Sequence, residues 1–322
     1  MKQIAAIGEA MLELSHQSDA SLALSFAGDT LNFAIYLRRL LPTKSFNIHY
    51  VTAVGDDIYS SSMLTHWQQE GLNTDMVYRL KNKLPGLYLI HTNAVGERTF
   101  YFYRENSAAR EFFNTFNTES AIDLLSQRLL TMDYLYLSGI VLAILNPQSR
   151  EYLWKLLEQS KKKGVQIIFD TNYRASLWSN AELARQTIER TLPWVDIAFP
   201  TLLDEQALFG DMNAAACAQR LLEKGITEVI IKCGAAPAFI ASISQQMSVP
   251  AHVVEKVVDT TGAGDSFNAA YMAARLLGRE PEEAAQWGHS LAAIIIFSVP
   301  VTVIVSNLIT VPCNGPFVFA LI

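Results

Sequence analysis

Short apolar runs rich in β-branched residues alternate along the chain with longer segments whose apolar positions recur at helical spacing. The runs at residues 4–7, 48–54, 134–137, 165–169, 196–199 and 228–231 predict buried strands. Between them, residues 60–70, 147–163, 181–190 and 214–224 predict helices. Pro147 near one helix start, and Gly164 after a lysine-rich last turn, match the usual start and stop signals. This rhythm is that of a parallel sheet covered by helices. One segment breaks it. Residues 84–93 and 98–104, on either side of a short turn at 94–97, read as two strands with no crossover helix between them. Such a hairpin cannot simply extend a parallel sheet, so it predicts part of a small β lid beside the main domain. Its aromatic, partly polar face serves either as packing or as the wall of a pocket.

With 322 residues, half of them hydrophobic and 17% charged, the chain is long and apolar enough for a large buried core. A formal charge of −6 gives no general attraction to nucleic acid or anionic lipid, and neither is an expected partner. Cys217, Cys233 and Cys313 are widely spaced with no C-x-x-C pair, so they are expected to be ordinary small hydrophobes. The run at 4–7 is stopped by Gly8 and Glu9, too early for a secretory signal, and a cytoplasmic location is expected. The other end differs. From Ala284 to Ile322 there is no Asp, Glu, Lys or Arg. Residues 291–311 are long enough to span a bilayer, yet Pro300 and Asn307 interrupt them, and a buried helix plus strand competes with that reading.

The chemistry concentrates in Val258-Asp-Thr-Thr-Gly-Ala-Gly-Asp-Ser-Phe-Asn268, a glycine-rich turn that opens into an apolar helix. Gly262 and Gly264, on either side of Ala263, allow the backbone close to a ligand, and the first amides of a helix lack intrahelical partners. With the helix dipole they form a site for phosphate charge. Asp265 at that positive end is placed either to accept a hydroxyl proton or to cap the helix. No Walker-type G-x-x-x-x-G-K-[ST], H-E-x-x-H or G-x-S-x-G occurs, and the six histidines are scattered.

Asp259-Thr-Thr-Gly-Ala-Gly-Asp265 resembles the D-T-x-G-A-G-D signature of the ribokinase-like, PfkB-type carbohydrate kinases. A second family element, a glycine followed by an asparagine in a new helix, stands here as Gly28-Asp-Thr-Leu-Asn32. Within the family the likeness is greatest to the 2-keto-3-deoxygluconate kinases. It rests on Gly28–Asn32, Leu84-Pro-Gly-Leu-Tyr88, Gly96-Glu-Arg-Thr-Phe-Tyr101, Tyr134-Leu-Tyr-Leu-Ser-Gly-Ile140 and Asp170-Thr-Asn-Tyr-Arg174. The resemblance implies a three-layer α/β/α fold with a mostly parallel sheet and a β lid, spanning residues 1–293. It implies transfer of the ATP γ-phosphate, with Mg²⁺, to the terminal 6-hydroxyl of an acidic keto sugar, with Asp265 as base. Gly28, Asp29 and Asn32 would bind sugar hydroxyls. Arg104 and Arg174 would meet the sugar carboxylate, because planar guanidinium suits it. Tyr88, Tyr103, Asn172 and Tyr173 would complete the wall, with core packing the competing role for any one tyrosine. Lys232 and Gly234 correspond to the strand and glycine turn beside ATP, where relatives often continue with Ser or Thr and this chain has Ala235-Ala-Pro237. Asp204 matches the acid of an N-x-x-E element tied to the magnesium water shell, and fits a helix cap equally well.

The likeness fades after about Ala293. The abrupt change predicts that a frameshift replaced the native end, leaving 294–322 as an atypical apolar tail, with a membrane anchor as the rival. Two other functions fit the residues: a kinase for a neutral sugar such as fructose or ribose, and an inactive sugar-binding protein with a disrupted terminus. A homo-oligomer is compatible with each.

Overall fold

The central strands send alternate side chains into two different hydrophobic cores, as a sheet covered on both faces requires. From the first strand, Ala5 and Ile7 enter one core while Ile4 and Ala6 enter the other. The computed structural model describes residues 1–18, 21–92, 98–114, 119–252, 260–297, 308–310 and 319–321. In chain order the first half comprises β1 (Lys2–Ile7), β2 (Met11–Ser18), β3 (Ser21–Ala27), α1 (Asp29–Leu40), β4 (Phe46–Gly55), α2 (Ile58–Gln69), β5 (Asn73–Leu80), β6 (Gly86–Thr92), β7 (Arg98–Tyr103), α3 (Glu119–Leu129), β8 (Tyr134–Ser138), α4 (Gly139–Ile144) and α5 (Pro147–Lys162). There follow β9 (Gln166–Asp170), α6 (Ala181–Thr191), β10 (Ile197–Ala198), α7 (Leu202–Phe209), α8 (Ala214–Glu223), β11 (Glu228–Ile231), β12 (Ala238–Ser242), β13 (Gln246–Val249), α9 (Ala263–Leu276) and α10 (Pro281–Phe297).

Nine strands form one sheet in the order β13-β12-β11-β10-β9-β8-β1-β4-β5. All neighbours from β11 to β5 run parallel, and β12 and β13 add an antiparallel edge. Helices α1, α2, α9 and α10 cover one face, and α5, α6 and α8 the other. The six strands and four helices expected from hydrophobic spacing are all present, with bounds shifted by two residues or fewer.

The hairpin forms as expected, with β6 and β7 antiparallel. Its turn, 94–97, lies outside the described residues. It belongs to a separate four-stranded sheet in the order β3-β2-β6-β7. Spacing alone did not reveal β2 and β3. In β2 the buried positions Met11 and Glu13 alternate with half-buried Leu12 and Leu14, so the more buried face carries a carboxylate and the polarity pattern inverts.

The last long helix, α10, continues past Ala293 to Phe297. Beyond it only 308–310 and 319–321 are described, paired antiparallel with each other. The remainder of the apolar tail, Cys313 included, lies outside the described residues. Among those described, no helix is long and apolar enough to cross a membrane.

Helix α1 is seated on the sheet by Phe33, whose fully buried ring stacks on Tyr136 of β8 with centroids 3.6 Å apart. Truncating Phe33 to Ala is expected to cost about 3–5 kcal/mol, through lost transfer energy and the cavity left behind. Urea unfolding of the variant against the parent, read at unchanged slope, measures it.

Candidate active site

Because β1, β4 and β8 to β11 are parallel, their carboxyl ends share one edge of the sheet, the edge where open α/β sheets bind ligands. Glu9 follows β1, Ser138 and Asp170 end β8 and β9, and Lys232 follows β11. The amino ends of α1 and α9 reach the same edge. Gly28 caps α1 in extended conformation, and a side chain there would put its first carbon 2.2 Å from the Glu9 carbonyl oxygen. Glycine is needed at this position for close packing.

Helix α9 begins at Gly262, whose φ of 74° lies in the left-handed region that glycine adopts without strain. Its first turn has a mixed hydrogen-bond record. The Ala263 amide donates to the Thr260 carbonyl at 3.2 Å, whereas the Gly264 and Asp265 amides have no partner among the described residues. A side-chain carbon on Gly264 would come no nearer than 3.6 Å to the Lys232 Nζ atom. The protein's own packing therefore does not demand this glycine, and the room above it is open to a ligand. Asp259 lies outside the described residues.

Asp265 is half-buried, and its Oδ2 accepts a hydrogen bond from Asn32 Nδ2 at 2.8 Å. Gly262, not Asp265, occupies the capping position. Burial, then the nearby Asp29 carboxylate, push the Asp265 carboxyl up to about 7, against the Asn32 hydrogen bond and the Lys232 charge. Asp29 opens α1, where its Oδ1 accepts from the Thr30 amide at 2.9 Å and its Oδ2 from Asn172 Nδ2 at 3.0 Å. Burial raises its proton affinity as well, and Asp170 adds to the effect. Asn172 has φ 30°, a positive value that asparagine tolerates better than most residues. Its amide donates to Asp170 Oδ1 at 3.1 Å. Asp170 Oδ2 accepts from Lys232 Nζ at 2.8 Å and from Asn268 Nδ2 at 2.7 Å.

Beside this group lies a cavity of about 610 Å³. Its polar lining includes Arg174, Asp204, Lys232, Gly234, Thr260 and Gly264. Phe267, His252, His289, Ala292, Ala293 and Ile296 also line it. Such a mixed lining suits a ligand with a charged part and a flat apolar body. Arg174 is more than half exposed, with its nearest guanidinium nitrogen 3.9 Å from Asp204 Oδ2. Asp204 is in the first turn of α7, and burial raises its proton affinity against the pull of Arg174. A cation that keeps most of its water needs few protein carboxylates, and Asp204 fits that demand. The neighbouring trio Glu205, Asp211 and Cys217 does not fit it, because Arg220 already sits 2.7 Å from Glu205 and 2.6 Å from Asp211.

The expected residues therefore divide. Asp265 is hydrogen-bonded to Asn32 and Asp29 to Asn172, the two pairs joined by the α1 backbone, Lys232 reaches Gly264, and Gly234, Arg174 and Asp204 share the cavity. Two of the lid residues have acidic partners within the protein. Buried Tyr88 donates to the Glu13 carboxylate, and buried Arg104 pairs with Glu9, leaving its Nε without a partner. Tyr103 is exposed on β7, and Tyr173 packs against the core under α5 and α6. Sequence reasoning missed Glu9, Glu13, Asp170 and Asn268. Asp170 and Asn268 are polar residues inside largely apolar elements, and that anomaly was the available signal; Glu9 and Glu13 carried no such mark.

The sequence pattern of the pfkB family carbohydrate kinases matches residues 1–304. The chain belongs to that family. Among its relatives, the pfkB-family protein named 2-dehydro-3-deoxygluconokinase in Dickeya dadantii is 47% identical over 92% of this chain and 94% of its own length. A protein of the same name in Escherichia coli K12 is 44% identical over 92% and 95%. A crystal structure of a putative Ribokinase II from E. coli, in complex with ATP and Mg²⁺, covers 92% of this pfkB chain and 94% of its own. Its TM-score is 0.78 at 22% identity, a likeness of fold.

The raised proton affinity of Asp265 has a consequence for stability. Its folded value, about 7, lies above the ordinary 3.8, so the native state holds a proton that the unfolded chain releases between those pH values. The contribution is intact below pH ~4 and is lost as pH rises through 7. Asp265→Asn, neutral at every pH, is expected to melt higher than the parent. The gap should widen from pH 4 to 7 and level off above, as calorimetric melting at several pH values would record.

Proposed function

We propose that the chain is an ATP-dependent kinase that phosphorylates 2-keto-3-deoxygluconate, the same compound as 2-dehydro-3-deoxygluconate, at its terminal 6-hydroxyl. One observation carries the reading. A half-buried carboxylate whose proton affinity lies near neutrality stands on the first helical turn of α9, beside an ammonium group and two amides that no described residue engages. A base near the working pH is the kind that accepts a proton effectively during transfer. The identities above 40% to proteins of that name supply the substrate.

In this mechanism the sugar lies against Gly28, Asp29, Asn32 and Asn172, with its terminal hydroxyl at Asp265. As the oxygen attacks the γ-phosphorus, its proton passes to the Asp265 carboxylate and the bond to the ADP oxygen breaks. The Gly264 and Asp265 amides, the α9 dipole and Lys232 meet the negative charge spread over the transferring group. Ala263 contributes through its carbonyl-bonded turn, since its amide is engaged by Thr260. ATP fits the cavity with its phosphates against the polar lining and its base against the apolar lining. Bound Mg²⁺ supplies positive charge to those phosphates, and Asp204 would hold it through its waters. Arg104, through the donors that Glu9 leaves over, and Arg174 face the sugar carboxylate. Tyr88 and Tyr103 belong to the lid that closes over the sugar and excludes water. A cytoplasmic setting belongs to the same reading.

A coupled ATP assay with 2-keto-3-deoxygluconate beside gluconate, fructose and ribose tests it. Turnover should be greatest with the first, and equal rates on fructose would reject the assigned substrate. Asp265→Asn is expected to lower kcat on the order of 10²–10⁴-fold, with sugar binding by calorimetry nearly unchanged. Comparable rates for variant and parent would end the base assignment. Arg174→Ala should weaken acidic sugars more than neutral ones, and an equal loss on both counts against carboxylate recognition.

A further inference from the structure

Asp170 is used nowhere in the transfer just described, yet it is the most heavily engaged carboxylate of the site. It is 2% exposed and accepts three hydrogen bonds, each from a different segment. The Asn172 amide comes from the loop after β9, Lys232 Nζ from the end of β11, and Asn268 Nδ2 from α9. Asn268 also donates to the Tyr136 hydroxyl of β8 at 3.1 Å. It follows Asp265 by one helical turn, so both side chains leave the same face of α9. The links close into a ring: Asp265 to Asn32, along α1 to Asp29, to Asn172, to Asp170, to Asn268, and back along α9.

We propose that Asp170 is a positioning residue of the kinase site, whose buried carboxylate holds the Lys232 ammonium at the mouth of α9 and anchors the Asp265 end of that helix through Asn268. The inference rests on the reading of Asp265 as the base. Its physical ground is that a lysine is a flexible point charge, able to spread over many rotamers. A buried carboxylate at 2.8 Å removes that freedom and leaves the other ammonium protons directed by one fixed contact. The same carboxylate adds a negative charge beside the base.

Among the described residues, the charged and titratable groups around Asp265 are few. Asp29 comes from α1, Asp170 from β9, Lys232 from the end of β11, and the Tyr136 hydroxyl from β8; Arg104 acts on Asp29 from the lid side. Asp29 and Asp170 favour a proton on Asp265, and Lys232 opposes it. Removing the charge of Asp170 should make Asp265 a weaker base, and removing that of Lys232 a stronger one. A residue that merely filled space would produce neither change.

The test is the pH dependence of kcat/KM for the sugar, which reports the free enzyme, measured from pH 5 to 9 on the full chain. The parent should lose activity below about pH 7. In Asp170→Asn that acid limb should move down by about one pH unit. Its plateau should fall on the order of ten- to a hundredfold as Lys232 loses its tether, with KM for ATP raised. In Lys232→Met the limb should move up, and in the double variant it should return towards the parent. Asp170→Glu, which keeps the charge on a longer arm, should hold the limb near the parent position while its plateau falls. A limb in folded Asp170→Asn that coincides with the parent's overturns the proposal. Should that variant not fold, an unmoved limb in Lys232→Met overturns it equally. Failure of the base reading shows separately, as retained turnover in Asp265→Asn.

Discussion

Three carboxylates, Asp29, Asp170 and Asp265, converge on one edge of the sheet, offset among the described residues by the Lys232 ammonium and, at Asp29, by the Arg104 guanidinium. In water such a cluster would ionise and disperse. Here burial and rigid partners prevent dispersal, so the electrostatic cost appears as raised proton affinity at Asp29 and Asp265. In the proposed mechanism a carboxylic acid thereby becomes a base suited to neutral pH, provided that the frame cannot relax. The stacked Phe33–Tyr136 pair beneath α1 and the Asn268–Tyr136 bond beneath α9 join both helices to β8. The stiffness of the α1–β8–α9 layer and the chemistry of Asp265 are one constraint.

The fold was legible because its central strands are buried on both faces and its helices are amphipathic, so period alone located them. The kinase loop was legible because Gly262 needs a positive φ and Gly264 leaves room for a ligand. The supports of the site were harder to read. Asn32 and Asp265 are 233 positions apart, and nothing in local spacing announces their hydrogen bond. Asp170 lay inside a recognised motif, and Asn268 beside another. Each was passed over because a polar residue at the end of a strand or within a helix is usually accounted for by solvent. What marks them is burial, which a sequence does not display.

The lid shows the same limit from the other side. Tyr88 and Arg104 were read as ligands of the sugar, and each is tied to a buried glutamate, Glu13 and Glu9, from the segment that leaves β1. The pairing of Arg104 with Glu9 cancels much of its net charge, so its use to an anion lies in directed N–H donors more than in long-range attraction. Arg174, more than half exposed and 3.9 Å from Asp204, keeps more of its field. Two arginines that look equivalent in sequence thus offer different physics: one orients, the other attracts.

The apolar lining of the cavity completes the division of labour. Ala292, Ala293 and Ile296 come from the last two turns of α10, next to the point where the composition of the chain changes. The carboxylate ring and its contacts, by contrast, draw on α1, β8, β9 and the loop after it, the end of β11 and α9, all of which precede that point. On the proposed reading, an altered terminus would therefore act first on the cavity wall assigned to the nucleotide base, and only indirectly on the ring around Asp265. In the proposed mechanism, catalytic geometry and nucleotide affinity thus fall to different parts of the chain, joined through Lys232 and Gly264, which belong to both.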